Sequence, residues 1–340
     1  MRSGCAAVSE NSEISEYSEF SEKKCVFFRG SVSQTASCCV MYVNEQKTTM
    51  TRTTIFSGVC MAALLCCSMP ASAAKTVRPF EIKEQLDQLE VSAGIEVIYT
   101  PTNIQDGMRF RLEGEEEKLD CLAVQQVGNK LIFKLKPDMN APSAKDVQAY
   151  VFMPPVSFIS VTSSGIVTVD GDFDSEKSLT LYASVSGSID MDNVYLSDNS
   201  CLEVTTSSSG SISIDDAFAG TFKATSTSSG DIDINNITAD TAIIRCSSSG
   251  EFETEMKVNA LTASSSSNGN MSLSGIVGNA SLSASSNGEI DAEDLQAKRV
   301  SISESKRTGG KIIGFGKDDS DDDENELNEV KARNVKVEMP

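Results

Sequence analysis

The chain contains no histidine and no tryptophan among its 340 residues, and both absences narrow the chemistry that it can carry. A zinc site would have to be built without imidazole, and the spacing of the cysteines fits no zinc site either. The chain has no tryptophan to stack on sugar rings, which weakens the case for a polysaccharide-degrading enzyme. We predict no bound cofactor and no catalytic residue.

Few of the cysteines lie in the part of the chain that is expected to fold. The chain has ten cysteines, but only Cys121, Cys201 and Cys246 lie after residue 74. An odd, scattered set of three is not a disulfide framework, so each is predicted to be a buried small hydrophobic residue. Cys201 and Cys246 stand on opposite parities of the repeat described below, so we expect no bridge between them.

Positive charge is also scarce. The formal net charge is −20, and from residue 75 onward 23 lysine and arginine residues face 43 aspartate and glutamate residues. Nucleic acid is therefore excluded as a natural partner, and close approach to an anionic lipid surface is disfavoured.

The first 73 residues do not resemble a folded domain. Residues 1–49 repeat Ser-Glu without apolar periodicity and are a doubtful extension, whereas residues 50–73 have the charged, apolar and small-residue order of a signal peptide. Met50 is therefore the expected start, with Met41 as the alternative. No long apolar run follows, so we expect no transmembrane span in the mature chain and export to the periplasm, the outer membrane or the extracellular space.

A short phrase, Ser-Ser-Gly or Ser-Asn-Gly followed by alternating apolar residues, repeats through the second half of the chain. Its glycines are separated by 22, 23, 20, 20, 19 and 19 residues: Gly165, Gly187, Gly210, Gly230, Gly250, Gly269 and Gly288. A fixed period near 20 residues with strand-like alternation is typical of a solenoid.

Aligned on the glycine, the repeats share apolar columns. The columns two and four residues on begin with Val167 and Val169, and a further strand, eleven to fourteen residues on, includes Phe222 and Ile244. A third column, seven or eight residues on, is also predicted to face inward: Val194, Phe218, Ile237, Val258, Ile276 and Leu295. The sequence predicts an all-β, parallel β-helix with about 20 residues per rung over residues 161–316. The glycines are predicted to take positive φ at the corners.

Two flanking regions complete the organisation. Residues 74–160 alternate as strands and are predicted to be a β segment that caps the solenoid. An acidic block at residues 317–329 is predicted to be a loop before a terminal strand within residues 330–340.

Acidic residues collect at the outward positions after the glycines. The candidates for a cation-binding face are Asp190, Asp192, Asp231, Asp233, Glu251, Glu253, Glu289 and Asp291. Oxygen-rich clusters suit calcium, but the glycine-rich phrase of calcium-binding β-rolls is missing. A solvated face that protects the sheet from aggregation is the other interpretation.

The segments Phe80 to Ile82, Leu89 to Val97 and Gly128 to Leu131, followed by the Ser-Ser-Gly repeats, resemble the bacterial head GIN domain family, described as a putative autotransporter adhesin. The likeness covers residues 75–340. It implies a right-handed, single-stranded β-helix in the envelope or outside the cell. The family implies no established activity and no agreed functional residues.

Three functions follow as hypotheses. The first is a secreted, non-enzymatic β-helical module that binds an unidentified protein or glycan, as an adhesin would, in an oligomeric state that the sequence does not define. The second is a carbohydrate-active β-helix enzyme that uses outward Asp and Glu side chains. The third is a calcium-dependent binding protein.

Overall fold

The computed structural model describes residues 75–80, 86–92, 94–102, 108–137, 144–314 and 331–336. The predicted extension at residues 1–49, the signal peptide at 50–73 and the acidic loop at 317–329 lie outside the described residues.

The described chain is almost entirely β structure, with one short α-helix and two 3₁₀ turns, Ala144–Asp146 and Lys306–Thr308. The elements before the repeats are β1 Thr76–Phe80, β2 Gln88–Val91, β3 Glu96–Pro101, β4 Arg109–Gly114, α1 Glu116–Cys121, β5 Leu122–Val127, β6 Lys130–Leu135 and β7 Gln148–Met153. The strands that follow are β8 Phe158–Val161, β9 Ile166–Val169, β10 Phe173–Ser175, β11 Leu179–Ser184, β12 Ser188–Leu196, β13 Cys201–Ser207, β14 Ser211–Thr227, β15 Asp231–Ser247, β16 Glu251–Ser266, β17 Asn270–Ala284, β18 Glu289–Asp291, β19 Leu295–Glu304, β20 Lys311–Ile313 and β21 Lys331–Lys336.

These strands form a parallel β-solenoid of about eight turns, which confirms the predicted fold. Each turn pairs with the next in parallel register, as in Ile212 with Ile232 on β14 and β15. Strand β14 has 17 residues and bends twice, so that it forms all three sides of one turn. It pairs with β15 of the next turn on each of these sides.

The solenoid has three faces, which we name by their outward side chains. The acidic face comprises residues 166–169, 188–191, 211–214, 231–234, 251–254, 270–273, 289–291 and 311–313. The aromatic face comprises residues 173–175, 193–196, 216–219, 236–239, 255–258, 275–277 and 295–297. The third face comprises residues 158–161, 179–184, 201–207, 221–227, 241–247, 260–266, 279–284 and 299–304.

The interior is filled by the predicted apolar columns, with one correction. The columns that begin at Val167 and Val169 are buried along their whole length, and so are Phe222 and Ile244. In the third column, however, Phe218 is 37% exposed and Ile276 is 50% exposed. The prediction was wrong at these two positions because the glycine-to-face distance varies from turn to turn, and a difference of one residue reverses the direction of a strand side chain.

The Ser-Ser-Gly turns also differ from the prediction. The residues at positive φ are not the glycines but the two residues before each of them, such as Ser208 at 48° and Ser209 at 65°. The N–H of Gly210 donates to the carbonyl of Ser207 at 2.9 Å, which closes a four-residue turn around them. Two successive positive φ values with this hydrogen bond are the geometry of a type I′ turn.

The glycine is required instead by the neighbouring turn of the solenoid. A Cβ atom on Gly210 would lie 2.3 Å from the carbonyl oxygen of Ala183, far inside van der Waals contact. The turn glycines after it meet the preceding turn's backbone in the same way, as Gly250 does at Ser226. The repeated glycine therefore reflects close stacking of backbones.

A buried hydroxyl column lies beneath these turns. Thr206 donates to the Ser226 hydroxyl at 3.1 Å, and Ser226 donates to the carbonyl of Gly230 at 2.6 Å. Ser265 makes the same bond to Gly269 at 2.6 Å. Cys246 pairs in register between Ser226 and Ser265, so a thiol occupies one position of this column.

The first strands continue the solenoid out of chain order. Strand β2 pairs in parallel with both β8 and β6, and β3 pairs in parallel with both β9 and β7. Antiparallel strands lie beyond them, with β5 on β6 and β4 and β1 beyond β7. At the other end, β21 pairs antiparallel with β19. The domain boundaries given above stay a prediction.

Candidate ligand-binding faces of the solenoid

The acidic face carries two parallel ladders of outward side chains. The first, in register order, is Ser188, Ser211, Asp231, Glu251, Asn270, Glu289 and Lys311. The second is Asp190, Ser213, Asp233, Glu253, Ser272 and Asp291. Seven of the eight predicted acids lie on these ladders. Asp192 does not, because the strand turns the corner to the aromatic face after Met191.

Four carboxylates meet at the middle of the acidic face. Asp231 is paired with Glu251, and Asp233 with Glu253, on adjacent strands about 4.8 Å apart. Partial burial raises the pKa of Asp231, and the negative charges of Glu251, Asp233 and Glu253 raise it further. The cluster therefore attracts positive charge.

The other acids of the face are separated from this cluster. Asp190 is set apart by Ser213, and partial burial raises its pKa against the opposing effect of a hydrogen bond from Ser188. Among the described residues, no three acidic or cysteine side chains are placed so that they could hold a metal ion. A cation-binding role for the acids stays a prediction.

A shallow groove of about 340 Å³ crosses the C-terminal half of the acidic face. The short side chains Asn270 and Ser272 separate the acids of β16 from Glu289 and Asp291 of β18. On the next strand, β20, the ammonium Nζ of Lys311 forms an ion pair with Oε1 of Glu289 at 2.8 Å. The groove is lined mainly by polar groups, so it suits a polar ligand.

The aromatic face carries a feature that the sequence reasoning missed. Tyr195 and Phe218 are register partners on β12 and β14, and their rings stack with centroids 5.1 Å apart and planes at 18°. Each is 37% exposed. The alternating parity around Val194 and Ala217, both buried, is the sequence signal that could have placed them outward.

Pairs of asparagine and aspartate side chains follow the same face and its corners from turn to turn. In each pair the amide of the later turn donates to the carboxylate of the turn before it: Asn193 to Asp172 at 2.7 Å, Asn235 to Asp215 at 3.0 Å, Asn236 to Asp216 at 2.8 Å and Asn259 to Asp240 at 2.9 Å. The exposed aromatic pair is thus flanked by ordered polar groups.

Of the three cysteines after residue 74, two match the prediction of burial. Cys121 and Cys246 are buried, and burial raises the pKa of Cys246 to about 12, with a further contribution from Glu251. Cys201 is half-buried on the third face, so the prediction of full burial was wrong for it. Its parity places it outward beside Glu203 rather than in the interior.

The sequence profile of one protein family matches this chain over residues 85–255 and 223–315. The family is described as "putative auto-transporter adhesin, head GIN domain". A search of the curated proteins finds none that matches the chain.

Two solved structures share the fold, and a third is similar with a lower score. A putative adhesin from Parabacteroides distasonis is 13% identical, with a TM-score of 0.56 over 72% of this chain and 96% of its own. One from Parabacteroides merdae is 10% identical, with a TM-score of 0.53 over 72% of this chain and 95% of its own. One from Bacteroides fragilis is 15% identical, with a TM-score of 0.48 over 68% of this chain and 94% of its own.

Within the part of the chain that the structure describes, no helix has both the length and the apolar character needed to cross a membrane.

Proposed function

This chain belongs to the head GIN domain family, and we propose that it is a non-enzymatic binding module of the bacterial cell envelope. In this role the solenoid is a rigid rod whose outward side chains engage a protein or a glycan. The family description and the exposed, ordered faces of the rod support the proposal.

The observation that carries it is the regular register of the polar side chains. The two ladders of the acidic face place an outward polar side chain on every strand, about 4.8 Å apart, along an open face. Repeated, equally spaced groups suit an extended partner that makes many similar contacts, because each contact adds to the last when the geometry allows simultaneous engagement. Glycoside hydrolysis instead needs one distinct carboxyl pair on either side of the bond to be cleaved.

One observation favours the enzyme as a second candidate. The raised pKa of Asp231 beside Glu251, Asp233 and Glu253 is the pattern by which a carboxyl group acts as a general acid. The two functions are separated by incubating the protein with a panel of bacterial and plant polysaccharides and measuring released reducing ends. We expect no release. Release that is lost in Asp231→Asn would contradict the binding proposal.

Export is the second part of the proposal, and it rests on the predicted signal peptide. Mass spectrometry of the native amino terminus, combined with fractionation of cells into cytoplasm, periplasm, outer membrane and medium, tests it. We expect a terminus near residue 74 and enrichment outside the cytoplasm. A mature protein that retains residues 1–49 in the cytoplasm would contradict it.

Binding itself is tested with the fluorescently labelled mature chain on whole bacterial cells and isolated envelopes. We expect saturable binding that unlabelled protein displaces. Binding that rises linearly without saturation would argue against a specific partner.

A further inference from the structure

We propose that Phe218, Thr238 and Lys257 on the aromatic face form a subsite for one uncharged sugar ring of a glycan. The proposal deepens the binding role given above and depends on it. The starting observation is the exposed aromatic pair Tyr195 and Phe218, since two large rings at the surface are not needed to fill the interior of the solenoid.

The orientation of the rings follows from their stacking. Tyr195 and Phe218 lie on adjacent strands, and their centroid separation of 5.1 Å is close to the strand spacing of about 4.8 Å. The ring planes are therefore stacked along the solenoid axis. One face of Phe218 covers Tyr195, and the other is directed toward the next turn.

The next turn leaves that ring face uncovered. Thr238, the register partner of Phe218, has a short side chain and is exposed. Lys257 follows in register after Thr238 and is also exposed. Phe218 and Lys257 thus lie two strands apart, at a separation of about 10 Å, and the short side chain of Thr238 lies between them. A gap of this width admits one ring stacked on Phe218.

Polar side chains lie on both sides of Thr238 along strand β15. Asn236 and Asp240 lie two residues before and after Thr238 on β15, and both are exposed. Asn236 uses one amide hydrogen on Asp216, and Asp240 accepts from Asn259 through one carboxylate oxygen. The second amide hydrogen of Asn236 and the second oxygen of Asp240 are suited to bind sugar hydroxyls as acceptors and donors.

The ring and the charges together define the ligand class. A sugar ring has an apolar face of C–H groups that packs on the negative face of an aromatic ring, while its hydroxyls need donors and acceptors at the edge. Lys257 makes no ion pair with any described residue, so its ammonium group can donate to a hydroxyl or a ring oxygen. The net charge of −20 disfavours an acidic glycan, and the positive charge of Lys257 at the subsite disfavours a positively charged sugar, which leaves a neutral one.

The test uses the mature chain and three neutral oligosaccharides as probes: β-1,4-linked hexamers of glucose, N-acetylglucosamine and mannose, measured by calorimetry. We expect binding to at least one. Thr238→Phe should weaken it at least tenfold, because the new ring fills the gap and extends the aromatic stack without disturbing the core. Phe218→Ala should weaken it by a similar factor.

Gln296→Phe is the matched control, because it adds the same ring in the same column beyond Ile276. It should change the affinity less than twofold. Circular dichroism of each variant verifies that the solenoid is folded.

Each outcome decides the proposal. If a hexamer binds and Thr238→Phe binds it equally well, the subsite is wrong although the binding role stands. If no neutral hexamer binds while the labelled protein still binds envelopes saturably, the glycan inference is overturned alone. A lysine-rich peptide that binds in place of the sugars and is blocked by Thr238→Phe overturns it in favour of a cationic partner. Failure of both hexamer and envelope binding overturns the proposed function as well.

Discussion

The Ser-Ser-Gly turns and the outward faces beside them follow opposite rules. In the turns, both the sequence and the backbone repeat, because the glycines from Gly187 to Gly288 lie against the backbone of the previous turn. On the faces, the backbone repeats but the side chains change, as from Asp231 through Glu251 to Asn270. The repeated phrase is therefore structural, and ligand recognition has to be sought where the repeat varies.

The sharpest test of this contrast compares two glycines. Gly210→Ala should destabilise the solenoid by about 4 to 5 kcal/mol, because the new Cβ would overlap the carbonyl of Ala183. Gly171→Ala is the matched control. Gly171 has a φ of 97°, and no atom lies within 4 Å of the position that an added Cβ would take, so only backbone strain of about 1 kcal/mol is expected.

Denaturant unfolding followed by circular dichroism measures both variants. Equal losses of unfolding free energy in the two variants would contradict the assignment of Gly210 to close backbone stacking.

The second prediction compares a buried and an exposed phenylalanine on the same strand, β14. Phe222 is fully buried, with its ring centroid 6.3 Å from that of Phe252, so Phe222→Ala should cost about 3 to 4 kcal/mol. Phe218→Ala removes only the exposed stack with Tyr195 and should cost about 1 kcal/mol. Similar losses from the two would mean that Phe218 belongs to the core.

The interior was predictable from sequence because one side-chain direction repeats without interruption over each strand. The columns that begin at Val167 and Val169 needed only strict alternation after each glycine. The acids of the acidic face followed from the same parity. Asp192 did not, because the strand bends at Met191 and alternation alone contains no information on where a strand bends.

The aromatic face was not predictable for a related reason. Its exposed column is the eighth residue after the glycine at Tyr195, Phe218 and Thr238, but the seventh at Lys257 and Ile276. The register shifts between Ile234 and Asn236, at the corner before the face, so a column counted from the glycine changes direction between β15 and β16. The backbone torsions of the turns were likewise not predictable from sequence. A glycine that recurs because of close backbone contact looks the same in the sequence as a glycine that recurs because of a positive φ.

The third prediction concerns Val185, a β-branched residue at a φ of 52° within one of the turns. The left-handed conformation crowds its Cβ, whereas asparagine tolerates it. Val185→Asn should therefore stabilise the protein by about 1 kcal/mol, seen as a higher denaturation midpoint.

Val127→Asn is the control for the loss of an exposed valine. Val127 is 60% exposed at the end of strand β5, where its extended backbone favours valine. This variant should show no gain. A gain in both would point to surface hydrophobicity rather than turn strain.

The smallest effect is expected on the acidic face, where Asp231 has a raised pKa. Because the folded state holds this proton more tightly than the unfolded state, the group's stabilising contribution is complete below the ordinary aspartate pKa and is lost as the pH rises through the raised value. The native protein should therefore have a higher melting temperature near pH 4 than at pH 7 on account of this group.

Asp231→Asn should raise the melting temperature at pH 7 and flatten its dependence on pH, because a neutral amide relieves the repulsion from Glu251, Asp233 and Glu253. Asp174→Asn, an exposed aspartate on the aromatic face, is the control and should leave the pH dependence as it is. Equal flattening by both variants would show that net charge, rather than the carboxylate cluster, governs the response.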